Sequence, residues 1–169
     1  MQQTPWFERK FDLIADNGLF PNILERLSGT PARVEALFRN SLNPNLPDTG
    51  TQTWSAKQEL GHLIDLEPLW LGRLHDFSNH LEVLREADLQ NRKTHDANHN
   101  ATPLETLLEN FQNERAKIVT FFSQADPGYF EISALHPRLR TPMRPIDLAF
   151  FIAEHDDHHL VKIRARLKA

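Results

Sequence analysis

The chain is expected to fold as an all-α four-helix bundle, with an N-terminal helical extension and a long crossover connection. Three observations predict this. Apolar residues recur at helical spacing in four long segments, prolines and small polar residues punctuate the segment ends, and no stretch alternates with the two-residue period of a half-buried strand. At 169 residues, 40% hydrophobic and 25% charged, the chain suits a single domain over 1–169 that can bury a core.

Residues 1–29 hold Trp6, Phe7, Phe11, Leu13, Ile14, Leu19, Phe20, Ile23, Leu24 and Leu27, and are too apolar for a solvated tail. They are expected to form short helical pieces packed on the bundle as an extension. Thr30-Pro31 reads as an N-cap with proline at the first helical position. Val34, Leu37 and Phe38 then give the buried face of a first long helix, ending near Asn40 ahead of Pro44 and Pro47. A loop through Asp48-Thr49-Gly50-Thr51 leads to Trp54-Ser55, where Ser55 or Thr53 caps the second helix. Its core stripe is Leu63, Leu66, Trp70, Leu74 and Phe77, with His62 at the edge and Glu59 on the same face. Pro68 is expected to kink this helix or force a bulge.

Residues 78–101 are polar and long for a link between bundle neighbours, which predicts the crossover. Leu81 to Leu89 reads as partly helical, and His80, His95 and His99 as solvated. Thr102-Pro103-Leu104-Glu105 has the form of a capping box. Leu104, Leu107, Leu108, Phe111, Ile118 and Phe122 carry the third long helix to about Ser123, and Asp126-Pro127-Gly128 ends it. Tyr129 to Arg144, with His136-Pro137, reads as a loop over one end of the bundle. A fourth helix follows from Pro145 to Lys168.

The fourth helix carries the chemistry. In Glu154-His155-Asp156-Asp157-His158-His159, the side chains of His155 and His159 fall one turn apart on the face of Leu148, Ile152 and Ile163, while His158 points elsewhere. Two imidazoles in an apolar stripe must either be satisfied by hydrogen bonds or share a cation. His62 is the best-placed third imidazole, because it alone among the other histidines sits in a strongly periodic helix beside its apolar face. Three histidines on two helices would leave a coordination position open, as catalytic sites do, and would suit Zn²⁺ or Ni²⁺ better than Fe²⁺ or Mn²⁺. Glu59, Glu154 and Asp156 are candidates to orient those imidazoles or accept a proton. His136, Trp54 and Trp70 are candidates for the walls of a pocket, with turn formation and core packing as the alternative roles.

Composition narrows the field. The chain has no cysteine, so it offers no disulfide, thiolate metal site or thiol nucleophile of its own. A net charge of −4 and the lack of a dense basic face argue against a nucleic-acid partner. No apolar run approaches the length of a membrane span, and Asp12 and Asp16 interrupt the N-terminus too early for a signal peptide, so a cytoplasmic location is expected. The expected partner is a small-molecule substrate, and the Phe-rich residues 1–29 could serve a homodimer.

The run from Leu24 to Arg33, the segment Trp54-Ser55-Ala56-Lys57-Gln58-Glu59-Leu60-Gly61-His62-Leu63, and Ala153 to Ile163 together resemble the DinB/YfiT-like superfamily. The order W-S…G-H-L, H-P, H-x-x-H-H carries the likeness from about residue 20 onward. The resemblance implies a four-helix bundle holding a divalent metal, often nickel or zinc, on His62, His155 and His159. It also implies activities such as S-transfer with bacillithiol or mycothiol, or mycothiol-dependent isomerisation. The chain departs from relatives after His136-Pro137, where Arg138-Leu139-Arg140 stands in place of a glycine-bearing turn. The expectation is a divalent-metal-dependent enzyme, a transferase using an external low-molecular-weight thiol. A metal-dependent hydrolase, a non-catalytic metal- or ligand-binding bundle and a metal-free bundle with hydrogen-bonded histidines are the alternatives.

Overall fold

A computed structural model describes residues 2–41 and 53–168. The expected breakers Pro44 and Pro47 and the loop at Asp48 to Thr51 lie outside the described residues. Four long helices make the body: α1 (Phe20–Arg39), α2 (Ala56–Ser78), α4 (Leu104–Gln124) and α5 (Pro145–Leu167). A short helix α3 (Arg92–Asp96) lies in the second connection, and a two-stranded antiparallel hairpin, β1 (Ala134–Leu135) and β2 (Pro142–Met143), precedes α5. No described helix is long and apolar enough to cross a membrane.

α1 and α2 each pack against α4 and α5, so the helices joined by the first and last connections sit diagonally across the bundle. Lys57 Nζ donates to the Thr102 carbonyl at 2.7 Å, and the Tyr129 hydroxyl to the Leu74 carbonyl at 2.8 Å. The start of α2 thus lies beside the start of α4, and the end of α2 lies beside the chain just past α4. The two helices run parallel, and residues 79–103 must travel back along the bundle between them, which is the crossover.

α2 begins as its chemistry dictates. Ser55 Oγ accepts from the Gln58 N–H at 3.1 Å while the Ser55 N–H donates to Gln58 Oε1 at 2.9 Å, a reciprocal capping box. Pro68 lies within α2, which remains helical on both sides of it.

α1 departs from expectation. It starts at Phe20 with Pro21 in its first turn, and Pro31 lies in its interior. Only residues before α1 form the extension, with 3₁₀ turns at Trp6–Glu8 and Asn17–Leu19. An interior proline removes the bond to the carbonyl four residues earlier, here that of Leu27. Arg115 Nη1 supplies the missing donor to Leu27 at 3.2 Å, and Thr30, rather than capping, donates its hydroxyl to Asp156 at 2.9 Å.

Three further corrections concern the connections. Leu81 to Leu89 is not helical: the Leu84 N–H donates to the Leu135 carbonyl and the Leu135 N–H to the Glu82 carbonyl, which bridges Val83 to β1. His99 is buried and bonded to Asp65, while His80 and His95 are exposed as expected. α4 starts at Leu104 behind Pro103 with no side-chain cap, so the capping box is absent.

The core has two apolar halves. One gathers Val34, Phe38, Leu60, Leu63, Phe111 and Ile163, and the other Leu27, Leu74, Phe77, Ile118, Phe122 and Ile152. On each helix a buried polar residue falls between them: Thr30 on α1, Glu67 on α2, Arg115 on α4, and His155, Asp156 and His159 on α5.

Candidate metal centre

The structure brings His62, His155 and His159 together. One ring nitrogen from each lies within 4.8 Å of the others, and all three side chains are buried. One helical turn on α5 places His159 Nε2 at 3.1 Å from His155 Nε2, and α2 brings the His62 ring centroid to 4.7 Å from that of His159. This is the only cluster of its kind among the described residues.

The outer nitrogens determine which inner ones are free. His159 Nδ1 lies 2.6 Å from Glu59 Oε2, and a carboxylate accepts, so the proton sits on Nδ1 and Nε2 is left bare. His62 Nδ1 lies 3.3 Å from Thr94 Oγ1, whose own hydrogen goes to Asp65 Oδ2 at 2.9 Å. The Thr94 hydroxyl therefore accepts from His62, and the other nitrogen of His62 is also bare. His99 Nε2 donates to the same Asp65 oxygen at 2.9 Å. The ring of His99 rests against α2 at Gly61, where a Cβ would overlap it.

Electrostatics keep the clustered imidazoles neutral. Burial holds His62 down at about 4, with Asp65 opposing only in part. Burial and the neighbouring imidazoles hold His155 and His159 well below the ordinary histidine value. Burial also pushes Glu59 up to about 7 against the pull of Lys162 and Arg166, so the carboxylate that accepts from His159 is the form present above that value. Three neutral imidazoles, those of His62 and His159 with a lone pair held inward, are the donor set a borderline divalent cation takes. His155 Nδ1 is buried with no hydrogen-bond partner among the described residues, so no protein group sets the tautomer of this ring.

A cavity of about 670 Å³ opens onto the three imidazoles. Trp54, Trp70 and His136 line it, and so do Glu59, Arg73, Arg138, Lys162 and the extension residue Trp6. The Trp6 ring centroid stands 4.9 Å from that of His155 and Trp54 4.8 Å from that of His62. Arg9 pairs with Glu154, and the Ile14 N–H donates to Asp147 at 2.6 Å, so the extension is tied along α5 and forms one wall.

Two candidate carboxylates lie elsewhere. Glu154 is tied to Arg9 and Arg26, and Asp156 to Arg115 and Thr30, so neither bonds a clustered imidazole. His158 does not face solvent: it is buried against Trp6, with Nδ1 unpartnered. Thr94, Asp65 and Arg115 belong to no motif in the sequence, where His99 reads as solvated. Arg115 was nonetheless detectable, since it fills the helical spacing between Phe111 and Ile118.

The family model described as the DinB superfamily matches residues 25–163. Among solved structures, the chain is similar to YfiT from Bacillus subtilis, with a TM-score of 0.75 and 14% identity, covering 95% of this chain and 94% of that one. That protein is described as "a probable metal-dependent hydrolase with an unusual four-helix bundle topology". No curated protein matches the chain.

Proposed function

Since the chain belongs to the DinB superfamily and fits a metal-binding protein, we propose that it is a divalent-metal-dependent enzyme that transfers a small-molecule thiol to an electrophile. The observation that carries this is the cavity of about 670 Å³ above the imidazoles, far larger than a closed structural site needs. When bound, Zn²⁺ or Ni²⁺ would supply a Lewis acid that lets a thiol or water ionise near neutral pH.

His62, His155 and His159 would hold the ion. Glu59 would fix the tautomer of His159, and Thr94 with Asp65 would fix that of His62, so that each presents a lone pair without rearrangement. Trp6, Trp54 and Trp70 would exclude water from the reacting groups and give flat apolar faces for the substrate. The sulfur must come from outside, because the chain has no cysteine. Glu154 would have no part in proton transfer, since Arg9 and Arg26 hold its carboxylate.

The second reading is a metal-dependent hydrolase, favoured by the description of the Bacillus subtilis structure. The first test is metal analysis of untagged protein beside His62→Ala, followed by assay of metal-loaded protein with an alkylating acceptor, with and without a low-molecular-weight thiol. Metal near one equivalent, lost in the variant, together with thiol-dependent product supports transfer. Turnover of esters or amides with no thiol requirement supports hydrolysis instead. Metal binding with no turnover returns a non-catalytic sensor or binding bundle, and no metal in either protein removes the reading altogether.

A further inference from the structure

One part of the cavity wall lies away from the imidazoles and has no role in holding a metal. Arg73 is 1% exposed, yet no carboxylate among the described residues pairs with its guanidinium. Asp76, one turn on, is taken by Arg85 at 2.6 Å. Arg73 Nε donates to the Arg85 carbonyl at 3.1 Å, and Nη1 lies 3.2 Å from His136 Nε2.

That last contact is not a hydrogen bond once the protons are placed. His136 Nδ1 accepts from the backbone N–H groups of Arg138 at 3.2 Å and Leu139 at 3.1 Å, so it carries no hydrogen. A neutral imidazole then bears its single proton on Nε2. Burial and the neighbouring guanidinium groups of Arg73 and Arg138 hold this ring at about 4, which keeps it neutral. Arg73 Nη1 and His136 Nε2 are therefore two donors facing each other, and neither can satisfy the other. Arg138 adds a third, since its Nη2 is buried with no partner. All three residues line the cavity. Buried donors of like character without an acceptor are costly unless an anion completes them.

We propose that Arg73, His136 and Arg138 form a subsite for an oxyanion, a carboxylate or phosphate, carried by one of the reactants. This rests on the proposed function, which puts the reacting end at His62, His155 and His159. His62 and Arg73 lie on one face of α2, about 16 Å apart along the helix axis. Trp70 links the two regions, with its ring 5.8 Å from that of His155 and 5.4 Å from Arg73 Cζ. The ligand thus lies along Trp70, with its anionic head several bonds from the reacting end. Of the acidic residues at the cavity, Glu59 is bonded to His159 at the cluster, and Glu86 and Asp88 are exposed, with Asp88 occupied by the backbone N–H groups of Gln90 and Arg92.

The test is calorimetric titration of zinc-loaded protein with three probes of one length: ω-mercaptohexanoate, ω-mercaptohexyl phosphate and uncharged ω-mercaptohexanol. Wild type is expected to bind an anionic thiol at least about 10-fold more tightly than the alcohol. Arg73→Gln should bring that ratio close to one. Arg138→Gln, in a half-buried loop position, should lower it and carries the test if the first variant does not fold. His62→Ala should weaken all three probes by the same factor and leave the ratio intact. No anion preference in wild type, or a preference kept in both arginine variants, overturns the subsite even where His62 dependence persists. A preference that needs Arg73 while affinity ignores His62 overturns the metal reading and keeps the subsite. The better anionic probe distinguishes a carboxylate from a phosphate ligand.

Discussion

The Arg115 guanidinium on α4 meets the Asp156 carboxylate on α5 at 2.5 Å, in a core where neither side chain is more than 1% exposed. Glu67 on α2 pairs with the same guanidinium at 2.6 Å, and the Leu27 carbonyl freed by Pro31 takes a further N–H. One cation thus joins all four long helices. It does so one residue from His155, so the ion network holds the helix that presents two of the clustered imidazoles.

Arg115→Met should accordingly cost about 3–5 kcal/mol, because it leaves two buried carboxylates without their cation. Burial opposes the charge of Arg115, and Asp156 and Glu67 more than offset it. Urea unfolding checks the size of the loss. Replacing Glu67 and Asp156 by their amides in the same chain should recover much of it, and no recovery would mean that the network is not what holds the helices.

Metal addition should raise the thermal midpoint of the wild type, since an ion bound only by the folded state stabilises it by mass action. His155→Ala should abolish the effect, whereas His158→Ala should retain it, because His158 is not in the cluster. Removing the acceptor for His159 Nδ1 with Glu59→Leu should weaken the ion by about 10–100-fold, and Glu59→Gln should restore part of that. Equilibrium dialysis reads all four variants.

Gly61→Ala tests the remote support of His62. The added methyl overlaps the His99 ring, which must withdraw from Asp65 and loosen the acceptor chain through Thr94. A cost of about 1–3 kcal/mol in stability is expected for this overpacking, with weaker metal affinity alongside. Unchanged affinity in a destabilised variant would separate His99 from the site.

Acid should destabilise the protein in part through His136. Its folded value of about 4 lies below the ordinary 6.5, so its contribution is full above pH 6.5 and is lost as pH falls towards 4. Comparing unfolding free energies of wild type and His136→Gln across that window should show a shallower fall in the variant, by about 1–2 kcal/mol after allowance for solvent screening. Parallel curves would show that His136 is not held neutral by burial.

The number of long helices, the side of α5 on which His155 and His159 lie, and His62 as their companion are all legible in the sequence. These follow from the 3.6-residue period, which is local and survives any arrangement of neighbours. Boundaries were less secure where two local signals agreed on the wrong start: Thr30-Pro31 has the form of a helix start, yet the helix continues through it because Arg115, far along the chain, satisfies the freed carbonyl. That Glu59, and not Glu154 or Asp156, meets a clustered imidazole follows from helix packing, since all three carboxylates lie within three residues of a histidine in sequence. The same holds for His99 and Arg73, whose partners come from other elements and whose burial depends on how the crossover and the hairpin lie on the bundle. Spacing along one helix orients a side chain, but its partner is set by which helices become neighbours, and here the helices joined by the first and last connections do not.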